Sequence, residues 1–232
     1  TGKPIIGVNH WLGHIYSNFI EQAPEFPILN LIVSGGHTGL VLMKNHKDIT
    51  QIGQTLDDSA GEAFDKVASM LGLPYPGGPA VSKLAKKGDS KTFSFPRSML
   101  NQDNFDFSFS GLKTAVLYKI KDIKKLTPKT KADIAASFQQ TVIDILIGKT
   151  LKVAQKFKVK SVCLSGGVSA NFQLRKQFKL KTKKVIPQSS ILYPLTLLCT
   201  DNAAMIGVAA AFQPKKAWTK YSKIQTNPNL RI

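Results

Sequence analysis

The chain has 232 residues, 43% of them hydrophobic, with 17 Gly and 12 Pro, enough for one large domain or two small lobes with a real core. Thirty-two Lys and Arg against 14 Asp and Glu give a net charge of +18, spread from Lys83 through Lys223, so a polyanion, nucleic acid or an acidic surface, is the expected partner and a basic one is disfavoured. No apolar stretch is long enough to cross a bilayer and no signal peptide opens the chain, while Cys163 and Cys199 stand alone without a C-x-x-C; both observations lead us to expect a cytoplasmic protein with two buried thiols.

In chain order, "KPIIGVNH" reads as an extended apolar strand, and a start at Thr1 reads as the middle of a longer protein. "NHWLGHIY" then places His10 and His14 four residues apart. On a helix both rings share one face and could hold a metal ion; a surface helix without ligand is the plainer alternative. A peptidase needs Glu directly after the first His as general base, and Trp11 stands there.

Three strands follow, "ILNLIVSGG", "TGLVLMKN" and "ITQIGQTL", short enough and close enough to form an antiparallel meander. Between the first two lies "VSGGHT". Paired glycines at a hairpin tip expose backbone N–H groups to an anion, although Gly-Gly is also ordinary turn chemistry. "SAGEAFDKVASMLGL" places Ala60, Phe64, Val67, Met70 and Leu71 at helical spacing, with Gly72 near its end. Asp58, Glu62 and Asp65, at i, i+4 and i+7, fall on one stripe of a helix and with Asp57 put four acids within nine residues beside the anion turn; a solvated face is the plainer alternative, and one carboxylate could bind a ligand's hydroxyl or amine.

Residues 74–110, rich in Pro, Gly, Ser, Lys and Phe, read as loops or an inserted excursion. "KADIAASFQQTVIDILIGKTLKVAQKF" is a long amphipathic helix and "SVCLSGG" a buried strand, whose Gly166 and Gly167 lead into a helix near Asn171 and bring that helix's N-terminal donors toward an anion. "KKVIPQ" reads as the last strand and "TDNAAMIGVAAAF" as an Ala-rich packed helix that Asp201 either caps or leaves free as a third metal ligand. Three strands, then helix, strand, helix, strand, helix is the ribonuclease-H-like order of an α/β protein, a mixed sheet flanked by helices. Neither G-x-x-x-x-G-K-[ST] nor G-x-G-x-x-G occurs, which argues against P-loop and Rossmann nucleotide sites.

Taken together, "VNHWLGHI", "LIVSGGHT", "DDSAGEAFDKVASMLGLPYPGGP", "FSFSGLKTA", "LSGGVSAN" and "CTDNAAMI" resemble, in order and over nearly the whole chain, the TsaD family of tRNA threonylcarbamoyltransferases, formerly named O-sialoglycoprotein endopeptidases. The resemblance implies the actin, Hsp70 and sugar-kinase superfold, two ribonuclease-H-like lobes with a nucleotide between them. Residues 1–27 would then end the first lobe, and 28–232 would form the second, with an insertion near 74–130. It also implies transfer of a threonylcarbamoyl group from threonylcarbamoyl-AMP to N6 of the adenosine just 3′ of the anticodon, in tRNAs reading ANN codons. Carried over by residue, His10, His14 and Asp201 match the ligands of one iron or zinc ion. Val33, Ser34, Gly35, Gly36 and His37 match the adenylate loop, and Asp65, Gly78 and Asn171 match further substrate-binding positions.

The implied partners are tRNA, TsaB, the ATPase TsaE and the synthase that makes threonylcarbamoyl-AMP, and "KTKK" at 181–184 and "KIKDIKK" at 119–125 are candidate tRNA contacts. No general base is named, since Glu62, Asp65, His37 and a metal-bound water all qualify. Two departures stand out. Leu12 occupies the place of an acidic residue in the family's His motif, and the family's first lobe, about a hundred residues, would precede Thr1. The competing expectations are an ATPase or sugar-kinase-like phosphotransferase, which would use the same two glycine turns but not the His-His-Asp set, and a non-catalytic RNA- or partner-binding scaffold.

Overall fold

A computed structural model of the chain describes residues 3–214, 219–227, 230 and 232. Strands β1 (Ile28–Val33), β2 (Thr38–Asn45) and β3 (Asp48–Gln54) form the meander, and β4 (Ser161–Ser165) and β5 (Ser190–Leu192) complete a five-stranded sheet in the order β3-β2-β1-β4-β5. β1 pairs antiparallel with β2 from Ile28↔Met43 to Val33↔Thr38, and parallel with β4 from Ile28↔Ser161 to Ile32↔Ser165. The sheet is mixed, as the element order predicts. Because β1 and β4 run in register and in the same direction, the turns that follow them emerge side by side at one end of the sheet.

Side chains alternate across β1. Leu29, Leu31 and Val33 face a large core shared with helices α2 (Ala60–Met70), α3 (Gly77–Ala85), α4 (Ser110–Asp122), α5 (Pro128–Lys156) and α6 (Phe172–Val185). Ile28 and Ile32 face a smaller core closed by helix α1 (His10–Tyr16), through Ile15 and Tyr16, and by helix α7 (Ala203–Ala211), through Ala209. Phe64, Phe138 and Phe178 in the larger core are 2% exposed or less; burial of each such side chain contributes about 2 kcal/mol. Both thiols are free and buried, as expected. No helix among the described residues is long and apolar enough to cross a membrane.

Five expectations are corrected. "KPIIGVNH" is not a strand: among the described residues it makes only an isolated bridge, Ile5 to Thr219, and its last residue already begins α1. Residues 74–110 are not all loop, because packing of Val81 and Ala85 outweighs the Gly-Gly-Pro start and forms α3. "KKVIPQ" is not the last strand; α6 runs on through Val185, and β5 forms at Ser190–Leu192, beyond Pro187. The helix near Asn171 does not follow the Gly166–Gly167 turn directly, since a 3-10 turn, Gly167–Ala170, intervenes. The acidic stripe does not lie along one helix: Asp57 and Asp58 precede α2, whose cap is Ser59, which accepts from the Glu62 N–H.

Candidate metal and nucleotide site

α1 forms because the Asn9 side chain accepts hydrogen bonds from the N–H groups of Trp11 and Leu12, at 2.8 and 3.4 Å, and so fixes the first turn. His10 and His14 then share one face, ring centroids 4.7 Å apart. At the other end of the chain the cap of α7 is Asn202, whose side chain accepts from the Met205 N–H. Asp201 is therefore not the cap of α7. Relieved of capping, its carboxylate turns to the histidines: Oδ1 lies 2.9 Å from His10 Nε2 and 3.4 Å from His14 Nε2.

The three residues offer ligand atoms that all lie within 4.8 Å of one another. Two ligands each about 2.1 Å from one ion lie about 3–3.5 Å apart, close to the two separations between Asp201 and the histidines. His14 strengthens the fit. Its ring is 2% exposed and neither nitrogen makes a hydrogen bond, because the approach to Asp201 is misaligned. A buried imidazole without a partner is costly, and a cation removes that cost.

The electrostatics agree. Burial, reinforced by the neighbouring His10, pulls the His14 pKa down to about 4, against the pull of Asp201. The imidazole is therefore neutral at physiological pH, with a lone pair to offer. The hydrogen bond from His10 holds the Asp201 carboxyl below the usual carboxylate range, against its own partial burial. His37, its ring 5.6 Å from His10, is also pushed below the ordinary histidine value, chiefly by burial.

Both glycine turns open onto this cluster. His10, His14, Ser34, Gly35, Gly36, His37, Tyr75, Gly167, Thr200 and Asp201 line one cleft of about 600 Å³. The first turn is closed by the Ser34 N–H donating to the His37 carbonyl and the His37 N–H to Ser34 Oγ. Gly35 and Gly36 are exposed, and their N–H groups make no hydrogen bond to the described residues, so the turn presents two donors to the cleft. Below it, Gly61 lets α2 approach: a Cβ there would stand 2.4 Å from the Ser34 carbonyl oxygen. In the second turn Gly166 has φ +87°, and a Cβ would stand 2.4 Å from the Val33 carbonyl oxygen.

Arg175 straps the second turn to the segment that ends at Asp201. Its Nε donates to the Ser169 carbonyl at 2.6 Å and its Nη2 to the Pro194 carbonyl at 2.7 Å and to Cys199 Sγ at 2.8 Å, while the guanidinium lies over Tyr193.

Of the residues predicted from sequence, His10, His14, Ser34, Gly35, Gly36, His37 and Asp201 meet in the cleft. Val33 is buried at the end of β1, with its carbonyl against Gly166. Asp65, Gly78 and Asn171 do not line it. Asp65 accepts the Gly77 N–H at 2.7 Å, and Asn171 caps α6 while donating to Ser82 Oγ and Gln139 Oε1. The remaining acids are engaged elsewhere: Asp57 accepts from the start of α4, Asp58 pairs with Lys66 and Lys113, and Glu62 pairs with Lys66. Tyr75 and Thr200 line the cleft without having been singled out. An exposed aromatic in "YPGGP" was the available signal for Tyr75; position directly before Asp201 was the signal for Thr200.

A family model described as TsaD: tRNA N6-adenosine threonylcarbamoyltransferase matches residues 1–208. A protein of that name from Thermosipho africanus is 49% identical over 234 residues, covering 100% of this chain and 69% of the relative. Another from Halalkalibacterium halodurans is 49% identical over 230 residues, covering 99% of this chain and 66% of the relative. The chain belongs to the TsaD family. It spans about two thirds of the length of these relatives. Among solved structures, full-length HypF in its phosphate- and nucleotide-bound form matches with a TM-score of 0.68 over 88% of this chain and 35% of that one, at 14% identity. HypF of T. kodakarensis matches at 0.65 over 91% and 38%, at 17% identity, and both likenesses establish the shared fold. TsaD proteins are transferases by name, which favours the transferase expectation over the phosphotransferase and scaffold alternatives.

Proposed function

We propose that this protein transfers the threonylcarbamoyl group of threonylcarbamoyl-AMP to N6 of the adenosine 3′ of the anticodon in tRNAs reading ANN codons. The observation that carries the reading is the convergence, in one cleft of a TsaD-family chain, of His10, His14 and Asp201 with both glycine turns. In this reading the three side chains hold one iron(II) or zinc ion. When bound, the ion supplies a Lewis acid that polarises the carbamoyl carbonyl.

The chain's own residues do the rest. His14 stays neutral and Asp201 ionised, so both are ready to donate electron pairs. The Gly35 and Gly36 N–H groups and the turn at Gly167 receive the phosphate of the adenylate, and the absence of side chains at the first pair lets it approach. The amine attacks the carbamoyl carbon, the carbon–oxygen bond to phosphate breaks, AMP leaves on the glycine side with the bonding pair on its phosphate oxygen, and the proton the amine loses passes to water. Asp65 and Asn171 support this arrangement from outside the cleft, Asp65 by anchoring the start of α3 next to Tyr75 and Asn171 by closing the second turn onto α6.

TsaB, TsaE, the threonylcarbamoyl-AMP synthase and a cytoplasmic setting complete the proposal, with residues 1–27 closing a first lobe and 28–232 forming the second. The test is reconstitution. With the synthase, TsaB, TsaE, ATP, threonine and bicarbonate, the protein is expected to convert an ANN-reading tRNA transcript to its threonylcarbamoyladenosine form, detected by mass spectrometry of nucleosides. His10→Ala and Asp201→Ala should each slow it by about 100-fold. Unchanged rates in both variants would overturn the cation-centred reading, and no product from the parent protein would overturn the transferase reading itself.

A further inference from the structure

α6 follows the second glycine turn and carries six cationic residues and no acid: Arg175, Lys176, Lys179, Lys181, Lys183 and Lys184. Its inward stripe is Leu174, Phe178 and Thr182, at i, i+4 and i+8, all buried. Opposite them an outward stripe of Phe172, Lys176, Lys179, Leu180 and Lys183 is exposed, with Phe172 at 66% and Leu180 at 61%. The helix is about 21 Å long at 1.5 Å per residue. It follows the 3-10 turn Gly167–Ala170, whose Gly167 lines the cleft, so Phe172 at the head of the stripe is five residues along the chain from a cleft residue.

The lysines are not used internally. Lys181 is the exception, paired with Asp144 at 3.0 Å, and Arg175 is consumed by its strap. Among the described residues Lys176, Lys179, Lys183 and Lys184 make no ion pair. A merely solvated helix mixes Glu with Lys at i, i+4; here 176/179 and 179/183 place like charges at the spacing where they repel. A polyanion relieves that repulsion. The other lysine-rich segment is different: on α4 Lys113 is tied to Asp58, and Lys119, Lys121, Lys124 and Lys125, which make no ion pair among the described residues, enclose Asp122 at the end of α4 and just beyond it.

We infer that the outward face of α6 is the docking surface for the tRNA, with Lys176, Lys179 and Lys183 on consecutive phosphates and Phe172 stacking on an unpaired base beside the cleft. This rests on the transferase reading above for the identity of the nucleic acid. Lysine on phosphate supplies sequence-independent, salt-sensitive affinity, and an exposed aromatic at the head of the lysine track supplies a platform that any base can use.

The experiment measures binding of an ANN-reading tRNA transcript by the protein assembled with its partners, across a salt series, using fluorescence anisotropy. The triple reversal K176E/K179E/K183E is expected to weaken binding at least 10-fold near 100 mM salt and to reduce the slope of log K against log salt by about 2–3. The milder K176Q/K179Q/K183Q should move both in the same direction, by less. F172A should weaken binding several-fold and leave the slope unchanged, a split that a structural role would not produce.

K119E/K121E/K124E, at and just beyond the end of α4, should leave both near the parent values. Parental affinity and slope in the α6 triple variants, or the main loss in the α4 variant, would overturn the assignment. If the α6 variants bind and modify tRNA normally, the surface is wrong and the transferase reading stands; if the parent binds tRNA through α6 but modifies nothing, the reverse holds.

Discussion

At Gly35 and Gly36 an added Cβ would meet nothing within 4 Å, whereas at Gly166 it would stand 2.4 Å from the Val33 carbonyl oxygen, on a backbone whose φ of +87° few side chains adopt. Both turns read Ser-Gly-Gly, yet the first keeps glycine for the sake of whatever approaches from outside and the second for the sake of the strand behind it. The close-packing requirement of the first turn has been moved off the turn to Gly61 on α2, beneath Ser34. One tripeptide thus serves access in one place and packing in the other, and a bound phosphate would meet a compliant wall and a rigid one.

The largest expected effect separates these two uses. Gly166→Ala should cost about 3 kcal/mol of unfolding free energy, from strain and from displacing β1, as read by urea denaturation. A variant as stable as the parent would show that the second turn can slide off Val33.

Arg175→Ala comes next, because it removes the strap that only the second turn has. It should cost about 1–2 kcal/mol and, in the folded protein, weaken Zn²⁺ binding at His10, His14 and Asp201 by about 10-fold, read by isothermal titration. Unchanged zinc affinity would mean that the packing of α1 on α7 alone fixes Asp201. Gly36→Ala should barely register in stability, within about 0.5 kcal/mol, while weakening AMP binding several-fold by crowding the donors. A stability loss like that of Gly166→Ala would erase the contrast.

The long, periodic elements were legible in the sequence. β2 occupies the residues read from sequence as the second strand, and α2 and α5 fall within three residues of the helices read there, because each buries a continuous apolar face. α3 was hidden, since Gly77, Gly78 and Pro79 look like a loop and only contact with α2 and α5 stabilises the helix. β5 is three residues long, too short to show a period. Spacing brought His10 and His14 together, but Asp201 needed the fold, because adjacent Asp201 and Asn202 both suit a helix cap and only the structure shows which takes it. The acidic cluster misled for a related reason: in a chain so rich in lysine, scarce carboxylates go first to pairing cations, as Asp58 does with Lys66 and Lys113.

His10 and Asp201 face each other across 191 positions of sequence. Neither segment holds a ligand set alone, so the unfolded chain offers an ion no comparable seat, and a cation bound there is a clasp across almost the entire domain. Its free energy of binding is then free energy of folding, about 2.7 kcal/mol at free ion one hundred times the dissociation constant. On the proposed reading, starvation for the ion would thus reduce the amount of folded protein as well as the transfer it supports, and a cell short of the ion would lose both together.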